Sequence, residues 1–220
     1  MQRDFIFISD THTHHESIQQ QLIELYSSCE EAILIHTGDI SYRGMIGEVK
    51  NFLEWFSGLP FKHKIMIAGN HDFAFEDQSS LMRTILREEY SGITYLEDSG
   101  VEIDGFKIWG SPVTPTFHNW AFNRDHKDIK KHWDAIPDDV DILLTHGPPY
   151  GILDQTDVGL NVGCPLLKKR IDDLPNLKIH AFGHIHESNG TNLIDEKIYV
   201  NSSIVDLDYE VKNPPYLIKL

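Results

Sequence analysis

Five short polar clusters carry most of the chemistry that this 220-residue chain offers. They read Ser9-Asp10-Thr11-His12, His36-Thr37-Gly38-Asp39, Gly69-Asn70-His71-Asp72, Thr145-His146-Gly147 and Gly183-His184-Ile185-His186. Each has a bland reading when taken singly. Asp10-x-His12 is then a turn before a helix, Gly38-Asp39 and Gly69-Asn70 are ordinary turn dipeptides, and His146 is a satisfied structural histidine. His184-x-His186 is the sharpest single signal, because residues i and i+2 of an extended segment point the same way and two imidazoles can converge. Together the clusters change meaning. Asp, Asn and His supply the oxygen and nitrogen donors that suit Mn²⁺, Fe or Zn²⁺ rather than Ca²⁺. The candidate ligands Asp10, His12, Asp39, Asn70, His146, His184 and His186 outnumber what one tetrahedral ion uses, so a dinuclear site is the economical reading.

Something must hold these clusters together, and the residues before them say what. Phe5–Ile8, Ala32–Ile35, Lys64–Ile67, Ile142–Leu144 and Ile179–Phe182 are short apolar runs that read as buried strands, each ending at one cluster. Ile198–Val200 and Tyr216–Leu220 read as further strands. Val101–Ile103 and Phe106–Trp109 flank Asp104-Gly105, a two-residue hairpin signal. Helical patterns lie between. Thr13-His14-His15-Glu16 reads as a capping box opening a helix that buries Ile18, Leu22 and Leu25. Val49, Phe52, Leu53 and Phe56 give residues Gly47–Ser57 one apolar face. A third helix is expected from Gln78 to Tyr90 with Gly92 as its stop, and a fourth from Pro165, burying Leu166, Leu167 and Ile171. This order predicts an α/β protein with a mixed sheet, or two sheets packed together. In such sheets ligands bind at the carboxyl ends of the strands, where the clusters fall.

Composition narrows the partners. Lys and Arg number 19 against 34 Asp and Glu, a formal charge of −15, which opposes a nucleic-acid polymer or an anionic membrane. No apolar run approaches a membrane span, and the start at Met1 runs into the first cluster without a leader pattern. Cys29 and Cys164 form no disulfide framework and stand in no ligand spacing, which suits a reducing compartment, the cytoplasm being the expectation. The thirteen histidines are more than a passive surface needs. His14 and His15 are expected at the surface of the first helix's entry. His36, His63, His118, His126, His132 and His180 carry no assignment.

The ordered set Asp10-x-His12, Gly38-Asp39, Gly69-Asn70-His71-Asp72, His146 and Gly183-His184-x-His186 resembles the signature of the calcineurin-like metallophosphoesterase superfamily. Trp120-Ala121-Phe122-Asn123-Arg124, Thr145-His146-Gly147-Pro148-Pro149 and Asn213-Pro214-Pro215 extend the likeness over nearly the whole chain. They bring it closest to the metallophosphodiesterase subgroup of metallophosphoesterase-domain-containing proteins. The resemblance implies one such domain over residues 1–220, folded as a four-layer αββα sandwich of two mixed sheets. It implies that Asp10, His12 and His186 hold one divalent ion, Asn70, His146 and His184 a second, and that Asp39 bridges them. Mn²⁺ is the first expectation for both ions, with Fe or Zn²⁺ as alternatives. His71 would then act as general acid in an in-line attack by a metal-bridging hydroxide, with Asp72 orienting it. The expected reaction is hydrolysis of small phosphodiesters, cyclic nucleotides among them, with no obligate protein partner. A phosphomonoesterase or protein phosphatase on the same site, or a binding module that keeps the fold without turnover, are the alternatives. Residues 115–124 are the expected substrate-specific segment. Asn123 and Arg124 are the expected contacts there, and Phe117, Trp120 and Phe122 are read either as a base-stacking set or as packing.

Overall fold

A computed structural model describes residues 3–220; Met1 and Gln2, the beginning of the start read above for a leader, lie outside the described residues. The apolar runs form two sheets. In the first, β1 (Asp4–Ile8), β2 (Ile33–His36), β3 (His63–Met66) and β4 (Ile93–Tyr95) run parallel. In the second, the hairpin β5 (Ser99–Ile103) and β6 (Phe106–Ser111) forms one edge. A two-residue ladder, β7 (Thr114–Pro115) and β8 (Asn123–Arg124), stands apart. The second sheet continues through β9 (Ile142–Thr145), β10 (Ile179–Phe182), β11 (Gly190–Ile194) and β12 (Lys197–Asn201), in the order β11-β12-β10-β9-β6-β5. β13 (Tyr216–Lys219) returns antiparallel along β1 to close the first sheet, order β13-β1-β2-β3-β4.

The side-chain alternation of the strands explains the layers. Phe5, Phe7, Ile33, Ile35, Ile65 and Ile67 on the first sheet meet Ile108, Ile142, Leu144, Ile179, Ala181 and Val200 on the second, giving one fully buried slab between them. The opposite face of the first sheet (Ile6, Ile8, Leu34, Met66) packs on α1 (Gln19–Ser28), α2 (Ile46–Gly58), α3 (Phe73–Asp77) and α4 (Ser79–Glu89). Leu143, Phe182 and Tyr199 on the outer face of the second sheet pack on α5 (Ile129–Asp134) and α6 (Pro165–Asp172). Because both faces of the central strands are covered, their sequences are continuously apolar rather than alternating. The result is the expected four-layer mixed α/β sandwich. No helix among the described residues is long and apolar enough to cross a membrane.

Several local expectations are corrected. Thr13 does not cap a helix: its φ is +71°, its amide donates to Ile40 O, and the chain enters α1 through a single 3-10 turn, His15–Ile18. That turn swings His15 inward against Phe52 and Trp55, so it is buried, whereas His14 stays exposed. The third expected helix is α4, capped at Gln78 and Tyr90 rather than stopped at Gly92, and a short helix that was not expected, α3, precedes it. Leu166 is only half-buried, because an eight-residue helix turns just Leu167 and Ile171 to the sheet. The Asp104-Gly105 turn has φ of +52° and +84°, the pair of positive values that a type I′ hairpin requires. Both cysteines are free and buried.

Candidate metal centre

Parallel register sets β1, β2 and β3 level, with Ile8 opposite His36 and His36 opposite Met66. Asp10, Asp39 and Asn70 therefore leave the first sheet at one height. The second sheet supplies His146 and His184 from the ends of β9 and β10, and the bridge between Ser9 and Ser203 draws the two rims together. The groups that meet there are Asp10, His12 and His186; Asp39, His146 and His184; and His12, Asp39 and His71.

The distances within these groups suit side chains that share a cation. His186 Nε2 lies 3.5 Å from Asp10 Oδ1, and His12 Nε2 lies 3.4 Å from His186 Nε2 and 3.7 Å from Asp39 Oδ2. His146 Nε2 lies 3.2 Å from the same Asp39 Oδ2 and 2.9 Å from Asn70 Oδ1. Ligands about 2.1 Å from a common ion stand roughly 3–3.5 Å from each other. The tautomers fit as well. Nδ1–H of His12, His146 and His186 donates to the carbonyl of Ser41 (3.1 Å), Thr37 (3.0 Å) and Asp206 (3.0 Å), respectively. Each Nε2 is thereby aimed into the cluster, as the outer hydrogen bonds of metal-binding histidines arrange.

Electrostatics say the same. Burial alone would raise both carboxyl pKa values, yet His186 and His146 beside Asp10, and His146, His71 and His12 beside Asp39, bring both below the ordinary range. Burial works against a charged His146 too, but Asp39 prevails and lifts it to about 9. His12 and His184, where burial prevails, fall to about 4 and about 3. The centre thus gathers ionised carboxylates with His12 and His184 held neutral, while the neighbouring carboxylates draw His146 and His186 toward the charged form.

The backbone is bent to make this possible. Asp10, His12, Asp39 and His184 all sit at positive φ, a conformation that costs a non-glycine residue energy and clusters at functional sites. Two glycines make room: a Cβ on Gly69 would stand 2.3 Å from Asp39 Oδ1, and one on Gly183 would stand 2.0 Å from Asp10 Oδ2.

Around the cluster, His71 donates Nδ1–H to Tyr42 O at 2.8 Å, leaving its Nε2 free. Asp72 does not reach His71 by a hydrogen bond. Its carboxylate accepts from the amides of Ser41 (3.0 Å), Ile40 (3.3 Å) and Gly69 (2.8 Å) and from Ser41 Oγ (2.6 Å), so it fixes the loop whose Tyr42 carbonyl holds His71. Burial, then Asp39, raises its pKa to about 6. Arg124 pairs with Glu76 at 2.8 Å, and Asn123 Nδ2 donates to the carbonyls of Phe117 and His118. Phe122 is buried, and Trp120 lies on the His71 ring. Tyr42, Tyr209 and Asp206 carried no signal in the sequence, yet all border the centre.

A two-sheet sandwich with Asp, Asn and His donors gathered at its strand ends defines a metallophosphoesterase, a phosphoric ester hydrolase. The model of the calcineurin-like phosphoesterase family matches residues 4–188, and the chain belongs to that family, which is metal-dependent and typically dinuclear. It is 35% identical over 239 aligned positions to metallophosphoesterase domain-containing protein 1 of Homo sapiens, covering 98% of this chain and 70% of that protein. A UPF0046 protein of Caenorhabditis elegans is 34% identical, over 92% of this chain and 75% of its own length. Among solved structures, the phosphopantetheinyl hydrolase from Mycobacterium tuberculosis superposes with a TM-score of 0.64 at 15% identity, covering 100% of this chain and 96% of that one. That likeness is one of fold.

Proposed function

We propose that this protein is a dinuclear metal-dependent phosphodiesterase acting on small phosphodiesters, cyclic nucleotides among them, as one domain over residues 1–220. Asp10, His12 and His186 would hold one ion and Asn70, His146 and His184 the other, with Asp39 shared. The observation that carries this reading is the position of Asp39 Oδ2, within 3.7 Å of His12 Nε2 on one side and 3.2 Å of His146 Nε2 on the other. Divalent ions there, Mn²⁺ first and Fe or Zn²⁺ next, supply charge for the phosphate oxygens and make water acidic enough to act as a nucleophile near neutral pH.

The chain's own residues do the rest. Tyr42 O fixes the proton of His71 on Nδ1, so Nε2 is the atom that turns to the site. When protonated, Nε2 donates to the departing oxygen, and the alkoxide leaves as an alcohol. Asp72 keeps that geometry by clamping residues 40, 41 and 69. The net charge of −15 favours small esters over long polyanions, whose binding needs a basic groove. Asn123 and Arg124 stay as candidate substrate contacts, Arg124 only if it can leave Glu76.

The test is hydrolysis of bis(p-nitrophenyl) phosphate by chelator-stripped protein, with and without Mn²⁺, beside p-nitrophenyl phosphate. Mn²⁺-dependent cleavage that prefers the diester supports the reading. Preference for the monoester replaces it with a phosphomonoesterase, and no turnover by folded, metal-loaded protein replaces it with a binding module.

A further inference from the structure

One wall of the centre is aromatic, and it is built around His71 rather than around the metal ligands alone. Trp120 lies on the His71 imidazole with ring centroids 4.3 Å apart and 24° between planes. Tyr42 and Tyr209 stand 6.2 and 6.4 Å from the same ring and meet each other edge to face at 5.3 Å. Tyr209 also packs on His12 at 4.8 Å and on His186 at 5.5 Å. These rings come from three separate loops, and none is sealed in the core: Tyr42 is 42% exposed, and Trp120 and Tyr209 are half-buried.

The wall is also rigidly mounted. Tyr209 sits at φ +60° in a turn that Asp206 holds, its carboxylate accepting the amides of Asp208 (2.9 Å) and Glu210 (3.0 Å). The carbonyl of the same Asp206 takes the Nδ1 proton of His186. The backbone carbonyl of Tyr42 accepts a hydrogen bond from Nδ1–H of His71. Each tyrosine is thus fixed to the centre through the residue that orients one of its histidines. A strained, non-glycine turn that exposes an aromatic face beside reacting groups points to use.

A general acid stands beside the group that departs. If His71 protonates the leaving oxygen, the rings touching His71 border the leaving alcohol. We infer that Tyr42, Trp120 and Tyr209 form the leaving-group pocket and select phosphoesters whose leaving alcohol carries a planar aromatic ring. This rests on the phosphoesterase reading. Two sources share that chemistry, an aryl alcohol bonded directly to the phosphate and a nucleobase carried on the sugar whose oxygen is released from phosphorus.

Equilibrium binding tests the inference without turnover. Protein loaded with Mn²⁺ is titrated calorimetrically with phenylphosphonate against methylphosphonate, and with adenosine 5′-monophosphate against ribose 5-phosphate. The expected result is tighter binding of the ring-bearing member of at least one pair by about tenfold, the upper end for an aromatic contact. The pair that shows it names the source. Tyr209→Ala and Tyr42→Ala should reduce that ratio towards one, and Tyr209→Phe and Tyr42→Phe should keep it, with Mn²⁺ content equal throughout. Equal binding within both pairs by the parent protein overturns the inference while leaving the phosphate site intact. So does a ratio unchanged in both alanine variants. Failure of all four compounds to bind Mn²⁺-loaded protein instead removes the phosphoesterase reading beneath it.

Discussion

Asp39 and His146, which lie 107 positions apart in the chain, bring a carboxylate oxygen and an imidazole nitrogen to within 3.2 Å. The other Asp39 oxygen accepts the amide of His71 at 2.8 Å, so the carboxylate cannot rotate without losing a buried hydrogen bond. Asp39→Asn keeps the shape and removes the charge that the two proposed ion positions would share. It should lower activity by more than about 100-fold, beyond what loss of an outer contact causes, and elemental analysis should find metal reduced at both positions. Near-parental turnover with full metal content would show that Asp39 is not a shared ligand.

His71 has its Nδ1 committed to Tyr42 O, which leaves Nε2 to deliver a proton. His71→Ala should slow alkyl phosphodiesters by about 10²–10⁴-fold and p-nitrophenyl esters far less, since nitrophenolate departs without a proton. Steady-state rates on the two ester classes make the comparison. Equal losses on both would assign His71 to binding.

Gly183 has no space for a methyl group, with Asp10 Oδ2 and Ser9 Oγ 2.0 and 2.2 Å from where its Cβ would be. Gly183→Ala should displace the Asp10 carboxylate, weakening metal retention in a chelator competition and destabilising the fold by about 1–3 kcal/mol as overpacking does. Metal retention equal to the parent's would mean that Asp10 contributes no ligand from this position.

His180 is fully buried on β10, bonded through Nε2 to Thr145 Oγ1, and burial lowers its pKa from 6.5 to about 3. A base depressed in the folded state binds more protons unfolded. Its stabilising contribution is therefore complete above about pH 6.5 and declines as pH falls towards 3, by about 1.4 kcal/mol per unit. Urea unfolding in chelator between pH 7 and pH 5 should show a slope smaller by about that amount in His180→Gln. Identical slopes would show that His180 does not remain neutral in the folded protein.

The part of this centre that could be read in the chain is the part written locally. A strand buried on both faces announces itself as an apolar run, and the Asp, Asn or His after it then falls at the sheet rim, so Asp10, Asp39, Asn70, His146 and His184 were all legible. The Asp104-Gly105 hairpin was legible because φ above zero at both central positions restricts the residue choice. Other features depend on distant packing. The three-residue strand β4 and the six-residue helix α5 are too short to show a period. His15 turns inward only because Phe52 and Trp55 wait on α2, and Thr13 gives up a cap because Ile40 O takes its amide. Tyr209 reaches His12 from almost 200 positions away, through a turn whose anchor, Asp206, looks like any surface acid.

The candidate metal centre draws Asp10 and Asp39 from the rim of one sheet and His146 and His184 from that of the other. Ions bound there would act as rivets through two plates, resisting any sliding of one sheet across the other. Because donors far apart in sequence close on the same cations, binding is coupled to docking of the sheets, and a chain whose halves have not yet met offers only fragments of a site. The slab of isoleucines, leucines and phenylalanines between the sheets is greasy and, on its own, tolerant of slip. Metal loading should therefore fix its register, and amide exchange in β1, β2, β9 and β10 should slow together, although those strands lie beneath the centre rather than in it.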